Sequence, residues 1–118
     1  MEPTLFTGVD PTMKIAQEEI FGPVALIMPF KDEEEAIRLA NDTRYGLSAS
    51  IWTKDLDRAF RVSSAVQAGY IWVNDANRHY PGAPFGGAKG SGVGREESLE
   101  ELASFTEPKS VNIKVAPR

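Results

Sequence analysis

The sequence predicts an α/β fold in which short parallel strands alternate with amphipathic helices. Three apolar runs of strand length recur along the chain, and a residue of the kind that caps helices follows each of the first two. Continuous apolar runs are typical of strands buried on both faces, and short links favour parallel βαβ units. We therefore expect a βαβαβ parallel-sheet segment, followed by a long glycine-rich loop, a helix and a C-terminal edge strand.

The first strand and helix are predicted to begin only after Gly22. Residues 24–30 form the first apolar run. Asp32 is a predicted N-cap, and Glu35 three residues later completes a capping box. Residues 1–21 show no clean period and contain prolines, so we predict turns around short extended pieces there.

The second cycle repeats this order. Residues 48–53 are predicted to form a strand, and Asp55 is a plausible cap for the helix that follows. Gly69 lies where a C-terminal glycine would end that helix. Residues 70–74, again apolar, are the third predicted strand.

The remainder of the chain is predicted to be mostly irregular. Residues 75–96 form a loop whose length is typical of functional loops. A helix is expected from about Arg95, with Leu99 and Leu102 on one face. Residues 110–115 alternate apolar and polar side chains, which predicts a strand available as an edge or as an addition to a partner's sheet.

The bulk composition is that of an ordinary globular domain. Of 118 residues, 42% are hydrophobic and 25% are charged, which suits one domain with a single core. Thirteen Lys plus Arg against seventeen Asp plus Glu give a net charge of −4, which argues against nucleic acid as a partner. No apolar run approaches the roughly 18 residues of a membrane span, and no export signal is present, so we predict a cytoplasmic protein.

The absence of cysteine and the presence of one histidine restrict the chemistry. Without cysteine the chain can supply no disulfide, no thiolate metal site and no cysteine nucleophile. With His79 alone, a multi-histidine metal site is excluded as well. We therefore assign no metal-binding residue to the chain.

The glycine-dense residues 84–96 carry two basic side chains, Lys89 and Arg95. Ala88 precedes Lys89 where a P-loop requires glycine, and the glycine spacing also fails the dinucleotide fingerprint. One interpretation is an ordered structural loop in which backbone packs against backbone. The alternative is a ligand-lining loop with both basic groups facing an anion, and the first is favoured. Phe85 is a better candidate for facing a pocket.

Two further segments carry candidate binding groups. Glu18, Glu19 and Phe21 precede a buried strand, where they could serve ligand hydroxyls and a flat heterocycle, although a solvated acidic pair with a core phenylalanine is the commoner case. Asp75 follows a strand at the end where α/β folds place ligand contacts. His79 could be a general base, but a lone loop histidine is more often a surface or lining residue.

The order of the motifs is more specific than any one of them. In chain order they are Glu18-Glu19-Ile20-Phe21-Gly22-Pro23, Gly69-Tyr70-Ile71-Trp72-Val73-Asn74, Pro84-Phe85-Gly86-Gly87 and Ser91-Gly92-Val93-Gly94-Arg95-Glu96. Together they resemble the C-terminal part of an NAD(P)-dependent aldehyde dehydrogenase, over essentially the entire chain. The resemblance implies a role in oxidising an aldehyde to a carboxylic acid with NAD or NADP as the cofactor.

The resemblance assigns a role to five residues. Glu19 matches the glutamate that hydrogen-bonds the nicotinamide-side ribose, and Phe21 matches the aromatic residue beside the nicotinamide ring. Phe85 matches a residue that lines the aldehyde tunnel. Asp75 and His79 fall in the loop that shapes this tunnel.

The resemblance also implies a division of the chain and a set of partners. Residues 1–106 correspond to the C-terminal portion of the catalytic domain, and residues 107–118 to an oligomerisation strand and tail. The expected partners are the aldehyde in the complete enzyme and further dehydrogenase subunits, as a homo-oligomer or another association. Neither nucleic acid nor a membrane is expected.

The chain departs from the family in lacking the nucleophile. In the family a cysteine thiolate attacks the aldehyde, a hydride passes to NAD(P)+, and a glutamate-activated water releases the acid. This sequence has no cysteine, and the cofactor-binding domain is missing, so we assign no catalytic residue and expect no activity of the chain alone. Met1 followed by Glu2 and Pro3 is interpreted as an internal methionine taken as a start. The alternatives are a non-catalytic interaction module or a truncated gene product.

Overall fold

The chain forms short strands and helices in alternation, as seen in a computed structural model that describes residues 2–116. The elements are β1 (Thr4–Thr7), α1 (Lys14–Gln17), β2 (Val24–Ile27), α2 (Glu33–Asn41), β3 (Ser48–Ile51), α3 (Leu56–Ala65), β4 (Tyr70–Val73) and α4 (Leu99–Ser104). Within residues 2–116, no helix has both the length and the apolar character needed to cross a bilayer.

The strands pair in parallel, which confirms the predicted α/β class. β1 lies beside β2 with Thr4 opposite Val24, and β3 lies beside β4 with Ser48 opposite Tyr70. These pairs are two separate sheets, so the continuous βαβαβ sheet is not formed. The prediction did not include β1 as a strand of a sheet. Residues 4–7 lie in a segment without a clean period, and yet they form the strand that pairs with β2.

Both predicted helix caps are confirmed. The Asp32 carboxylate accepts a hydrogen bond from the Glu35 backbone N–H at 2.9 Å. Asp55 accepts one from the Arg58 N–H at 3.1 Å. Each carboxylate satisfies a donor that the first turn leaves free, so local sequence sets where α2 and α3 begin. Glu35 also reaches back, but its partner is the N–H of Lys31, one residue before the cap.

Glu33 joins α2 to α3. Its carboxylate accepts hydrogen bonds from Arg61 Nε at 2.9 Å and from Arg58 Nε at 3.1 Å. Hydrogen bonding by Arg61, and secondarily by Arg58, holds the pKa of Glu33 below its ordinary value. A lowered pKa means that the ion pair stabilises the fold at neutral pH, and that this contribution is lost as the pH falls below about 4.3 and through the lowered value.

Gly69 has a different role from the predicted helix C-cap. α3 ends at Ala65, and its C-cap Val66 is extended rather than left-handed. Gly69 instead permits close backbone contact with the glycine-rich loop, because a Cβ at this position would lie 1.8 Å from the Gly86 carbonyl oxygen. The glycine is therefore required by tertiary packing and not by the end of the helix.

The last helix starts later than predicted. α4 begins at Leu99 rather than near Arg95. Glu97 has a φ of +63° and Gly94 a φ of +83°, values that a right-handed helix cannot contain. Glu96 between them forms an antiparallel bridge with Phe85. The backbone therefore keeps a loop conformation up to Ser98, which is the N-cap of α4.

The strand predicted over residues 110–115 is not formed. As far as the structure describes the tail, residues 107–116 belong to no helix or strand and make no hydrogen bond with other described residues. The radius of gyration of 20.6 Å exceeds the roughly 13.5 Å of a compact chain of this length. A strand needs a neighbour for its N–H and C=O groups, and the described chain offers the tail none.

Residues 2–116 do not form the single core that the composition predicted. Its accessible surface is 9563 Å², whereas a compact monomer of this mass exposes about 6,300 Å². Among the described residues, Ala59 and Trp72 are the buried apolar side chains, while the Trp52 side chain is 70% exposed. Helices and sheets bury their apolar faces only against a second layer, and within residues 2–116 many large apolar side chains have no such layer over them.

Candidate functional site

Trp72 anchors the long loop to β4. Its side chain is 6% exposed, and the indole Nε1–H donates a hydrogen bond of 2.7 Å to the Arg78 carbonyl oxygen. A buried indole normally finds such a partner, and here the partner is the backbone of the loop. The loop residues 75–80 are therefore held against β4.

Four rings form an aromatic cluster along one face of β4: Tyr70, Trp72, His79 and Phe85. The ring centroids of His79 and Phe85 are 4.5 Å apart, and those of Tyr70 and Phe85 are 5.5 Å apart. Tyr70 and Trp72 face the same side because they are two residues apart in a strand, and their centroids are 4.8 Å apart. Two predicted tunnel residues, His79 and Phe85, are thus in direct contact.

A carboxylate fixes the histidine of the aromatic cluster. His79 Nδ1 lies 2.7 Å from Glu97 Oε1. The two side chains are 40% and 36% exposed respectively, so the pair is accessible from outside the chain. An ionised carboxylate only accepts hydrogen bonds, so this contact suits the tautomer of His79 that carries its proton on Nδ1.

Asp75 lies at the edge of the same loop. One of its carboxylate oxygens accepts the Tyr80 hydroxyl at 3.2 Å, and the other accepts the Ala76 N–H at 2.8 Å. The Arg78 guanidinium lies over the Tyr80 ring, 5.1 Å from its centroid. The three predicted tunnel residues, Asp75, His79 and Phe85, therefore lie in one loop. Asp75 contacts the rest of this loop through its hydrogen bond with Tyr80.

Glu19 and Phe21 lie in a different segment, before β2. Across residues 2–116, the Glu19 carboxylate makes no hydrogen bond or ion pair, and no hydrogen bond or ring contact joins either residue to the aromatic cluster. Phe21 has a φ of +51° and is 91% exposed. The interpretation of Phe21 as a core residue is therefore wrong for this chain, because its ring faces open space.

An open cleft of about 630 Å³ lies beside Glu19 and not beside the aromatic cluster. Glu18, Tyr45 and Gln67 are among the residues that line it. The side chains of Asp75, His79 and Phe85 are not part of its wall. The predicted cofactor residue and the predicted tunnel residues thus border separate surfaces of the chain.

The two basic side chains of the glycine-rich loop bind backbone carbonyls. Lys89 Nζ donates to the carbonyl oxygens of Asn41 and Thr43, at 3.2 and 2.7 Å. Arg95 Nη1 donates to the carbonyl oxygen of Gly87 at 2.9 Å. Lys89 thereby satisfies the C-terminal end of α2, where cations are favourable. These contacts fit the structural interpretation of the loop rather than the anion-binding one.

Sequence reasoning missed three members of this site. Tyr70 and Trp72 carry a readable signal, since two aromatic residues at a spacing of two in a strand share a face. Glu97 has no such signal in the sequence, because its contact with His79 depends on how the loop folds. No three His, Cys, Asp or Glu side chains within residues 2–116 lie close enough together to hold a metal ion.

Comparison with known sequences gives one consistent result. The sequence model of the aldehyde dehydrogenase family matches residues 1–111. The aldehyde dehydrogenase tropH of Talaromyces stipitatus is 52% identical over 113 residues, which are 96% of this chain and 22% of that protein. Retinaldehyde dehydrogenase 3 of Rattus norvegicus is 51% identical over 98% of this chain and 22% of its own length.

Solved structures agree with the sequence comparison. A mutant of the indole-3-acetaldehyde dehydrogenase AldA of P. syringae, in complex with NAD+ and IAA, matches with a TM-score of 0.90 at 51% identity, over 97% of this chain and 23% of that one. The betaine aldehyde dehydrogenase of Staphylococcus aureus, in complex with NAD+, gives a TM-score of 0.85 at 45% identity, over 88% and 21%.

The fold and its matches place the chain among α/β proteins. The chain belongs to the aldehyde dehydrogenase family. It spans 22% of the length of the two relatives described above.

Proposed function

We propose that this chain is the C-terminal segment of the catalytic domain of an NAD(P)+-dependent aldehyde dehydrogenase. The observation that carries this proposal is the surplus of apolar surface. The accessible surface of 9563 Å² and the separate two-stranded sheets are what a part of a larger core exposes when it stands alone. Open strand edges and uncovered apolar faces are places where the rest of a catalytic domain would pack.

Glu19 and Phe21 would provide part of the cofactor site. NAD(P)+ supplies the acceptor for the hydride of the aldehyde. The Glu19 carboxylate is exposed and has no partner among the described residues, so it is free to accept hydrogen bonds from two ribose hydroxyls. The Phe21 ring, 91% exposed, is free to pack against a flat heterocycle. The residues present therefore fit the cofactor.

The aromatic cluster and Asp75 would form part of the wall of the aldehyde tunnel. Phe85 and His79 present aromatic surface, which suits a mostly apolar pocket with few polar groups. Asp75 and the Glu97-bound His79 add polar groups from the same loop. Asp75 follows the carboxyl end of β4, which is the end of a parallel strand where α/β proteins bind their ligands.

The nucleophile must come from outside this sequence. Oxidation of an aldehyde through a thiohemiacetal needs a thiolate, and the chain contains no cysteine. Because that group and most of the cofactor site are absent, the chain would hold and orient the cofactor and the aldehyde but would not react with the aldehyde itself.

A chimeric enzyme tests this proposal. The chain replaces the matching segment of the P. syringae indole-3-acetaldehyde dehydrogenase, with which it shares 51% identity. We expect the chimera to form NADH from indole-3-acetaldehyde and NAD+, measured by its near-ultraviolet absorbance. The purified chain alone is expected to form none under saturating aldehyde and NAD+.

One control and two contradicting outcomes complete the experiment. The host enzyme without the segment should be inactive, which shows that the chain supplies a required part. A folded chimera without aldehyde-dependent NADH formation would contradict the proposal. Turnover by the purified chain alone would also contradict the proposal, because the chain would then not need a nucleophile from outside its sequence.

A second role, association with other subunits, is favoured by the tail. Val111, Ile113 and Val115 are 71%, 82% and 83% exposed, and they alternate with the polar Asn112 and Lys114. A segment with period-two alternation and no partner in the described chain has the pattern of a strand added to another subunit's sheet. The division of the chain after residue 106 remains a prediction under this proposal.

Light scattering during size-exclusion chromatography tests the association. We expect the purified chain to elute as a discrete species heavier than 12.9 kDa. Changing Val111, Ile113 and Val115 to serine should shift it towards the monomer, because the strand loses its apolar face. The matched control changes Asn112 and Lys114 to serine and should leave the mass unchanged. A monomer at micromolar concentration, or equal masses for all three proteins, would exclude this role.

A further inference from the structure

Glu97 is fixed at the junction of the long loop and α4 by its backbone. Its carbonyl oxygen accepts the Gly82 N–H at 3.1 Å, and its own N–H donates to Glu101 Oε2 at 2.8 Å. Its φ of +63° is in the left-handed region. These bonds do not involve the Glu97 carboxylate, so a change of its side chain that retains Cβ leaves the backbone contacts in place.

Within residues 2–116, the only hydrogen-bond and ion-pair partner of the Glu97 carboxylate is His79. Oε1 lies 2.7 Å from Nδ1, which is the distance of a charge-assisted hydrogen bond. The imidazole is stacked on Tyr70, with centroids 6.1 Å apart and planes inclined by 18°, and it touches Phe85. The aromatic rings restrict the position of the imidazole. The nitrogen that lies against the Glu97 carboxylate is Nδ1.

We propose that Glu97 is a positioning residue that fixes the Nδ1–H tautomer of His79, so that Nε2 accepts a hydrogen bond from a donor group on the aldehyde. In a neutral imidazole one nitrogen donates and the other accepts, and a partner of one nitrogen sets the tautomer. Nε2 makes no hydrogen bond with any described residue. This proposal rests on the proposed function, in which His79 borders the aldehyde tunnel.

The substrate class that follows is an aldehyde with a hydroxyl or amine group remote from its carbonyl. Such a donor would meet an acceptor nitrogen in an otherwise aromatic wall. An aldehyde of the same shape with a methyl group in place of the donor would leave Nε2 without a partner. A site with one directed polar group discriminates between two such aldehydes mainly through binding.

Nuclear magnetic resonance of the full chain tests the tautomer directly. His79 is the only histidine, so the imidazole ¹⁵N signals need no assignment. We expect the Nδ1–H form in the unchanged chain and in Glu97→Gln, whose amide oxygen still accepts. Glu97→Leu should lose this preference, and the matched control Glu100→Leu should keep it. The Trp72 indole N–H signal, hydrogen-bonded to the loop, reports that each variant is folded.

Kinetics of the chimera test the consequence for substrates. The probes are 4-(hydroxymethyl)benzaldehyde and 4-ethylbenzaldehyde, which match in shape. We expect Glu97→Leu to raise KM for the hydroxymethyl compound about fivefold, the loss of one hydrogen bond, with kcat unchanged. KM for the ethyl compound should not change, and Glu97→Gln should restore most of the difference.

The two measurements separate the possible failures. An unchanged chimera inactive with every aldehyde contradicts the proposed function, and the tautomer measurement still decides the role of Glu97. An Nε2–H tautomer in the unchanged chain overturns the inference. An equal change of KM for both aldehydes in the Glu97→Leu chimera also overturns the inference. That result would mean that Glu97 has a structural role and does not direct the hydrogen bond of His79 to the aldehyde.

Discussion

Replacing Gly69 with alanine is expected to abolish the folded chimera. A Cβ at this position would lie 1.8 Å from the Gly86 carbonyl oxygen and 2.8 Å from the Gly86 carbonyl carbon. The backbone cannot move away easily, since the Gly69 N–H donates to the Gly46 carbonyl oxygen at 3.0 Å and the next residue begins β4. We expect a loss of about 3 kcal/mol or more, seen as a large fall in soluble yield and in the thermal unfolding midpoint.

Gly82→Ala is the control for the Gly69 substitution. Gly82 has a φ of +86°, and no heavy atom lies within 4 Å of the position that an alanine methyl group would take. The cost there is backbone strain of about 1–2 kcal/mol, without a steric clash. An equal effect of the two substitutions, or a fully stable Gly69→Ala protein, would show that the contact between Gly69 and Gly86 does not hold the loop to β4.

Replacing Glu19 with alanine is expected to lower kcat/KM for NAD+ by about 10- to 100-fold in the chimera. This range corresponds to the loss of hydrogen bonds to a charged group, about 1.5–3 kcal/mol. The Glu19 carboxylate makes no bond with other described residues, so the substitution should leave the thermal unfolding midpoint unchanged. Initial rates at varied NAD+ and saturating aldehyde measure the effect.

Glu18→Ala is the matched control for Glu19. Glu18 is the neighbouring exposed carboxylate, and its ion pair is with Lys14 at 3.6 Å within the chain. Exposed pairs of this kind contribute little, so this variant should keep the activity of the chimera. Equal losses in both variants would indicate a general effect of acidic charge, and no loss in Glu19→Ala would remove this residue from the cofactor site.

Local features of the sequence predicted where α2 and α3 begin. Asp32 and Asp55 cap α2 and α3 as expected, because a capping carboxylate acts on N–H groups only three residues away. The apolar runs located β2, β3 and β4, although each strand is shorter than its run. The long loop after β4 was also predicted, since its glycines and prolines interrupt any periodic pattern.

Contacts between distant segments could not be predicted in the same way. β1 pairs with β2 although its own segment shows no period. His79 meets Glu97, and Gly69 meets Gly86, through the folding of the long loop. The roles of Glu19 and Phe21 were assigned from motifs shared with a family, and no distance within this chain tests them.

The amino-acid sequence by itself determined the α/β class, the helix caps, the membership motifs of the aldehyde dehydrogenase family and the absence of a cysteine nucleophile. These features depend on residue identity and on neighbours within a few positions. Only the tertiary structure decided that the strands form two sheets, that His79 is held by Glu97, and that the tail has no partner among the described residues. The reason is physical, because strand pairing and apolar burial depend on which distant surfaces of the chain meet.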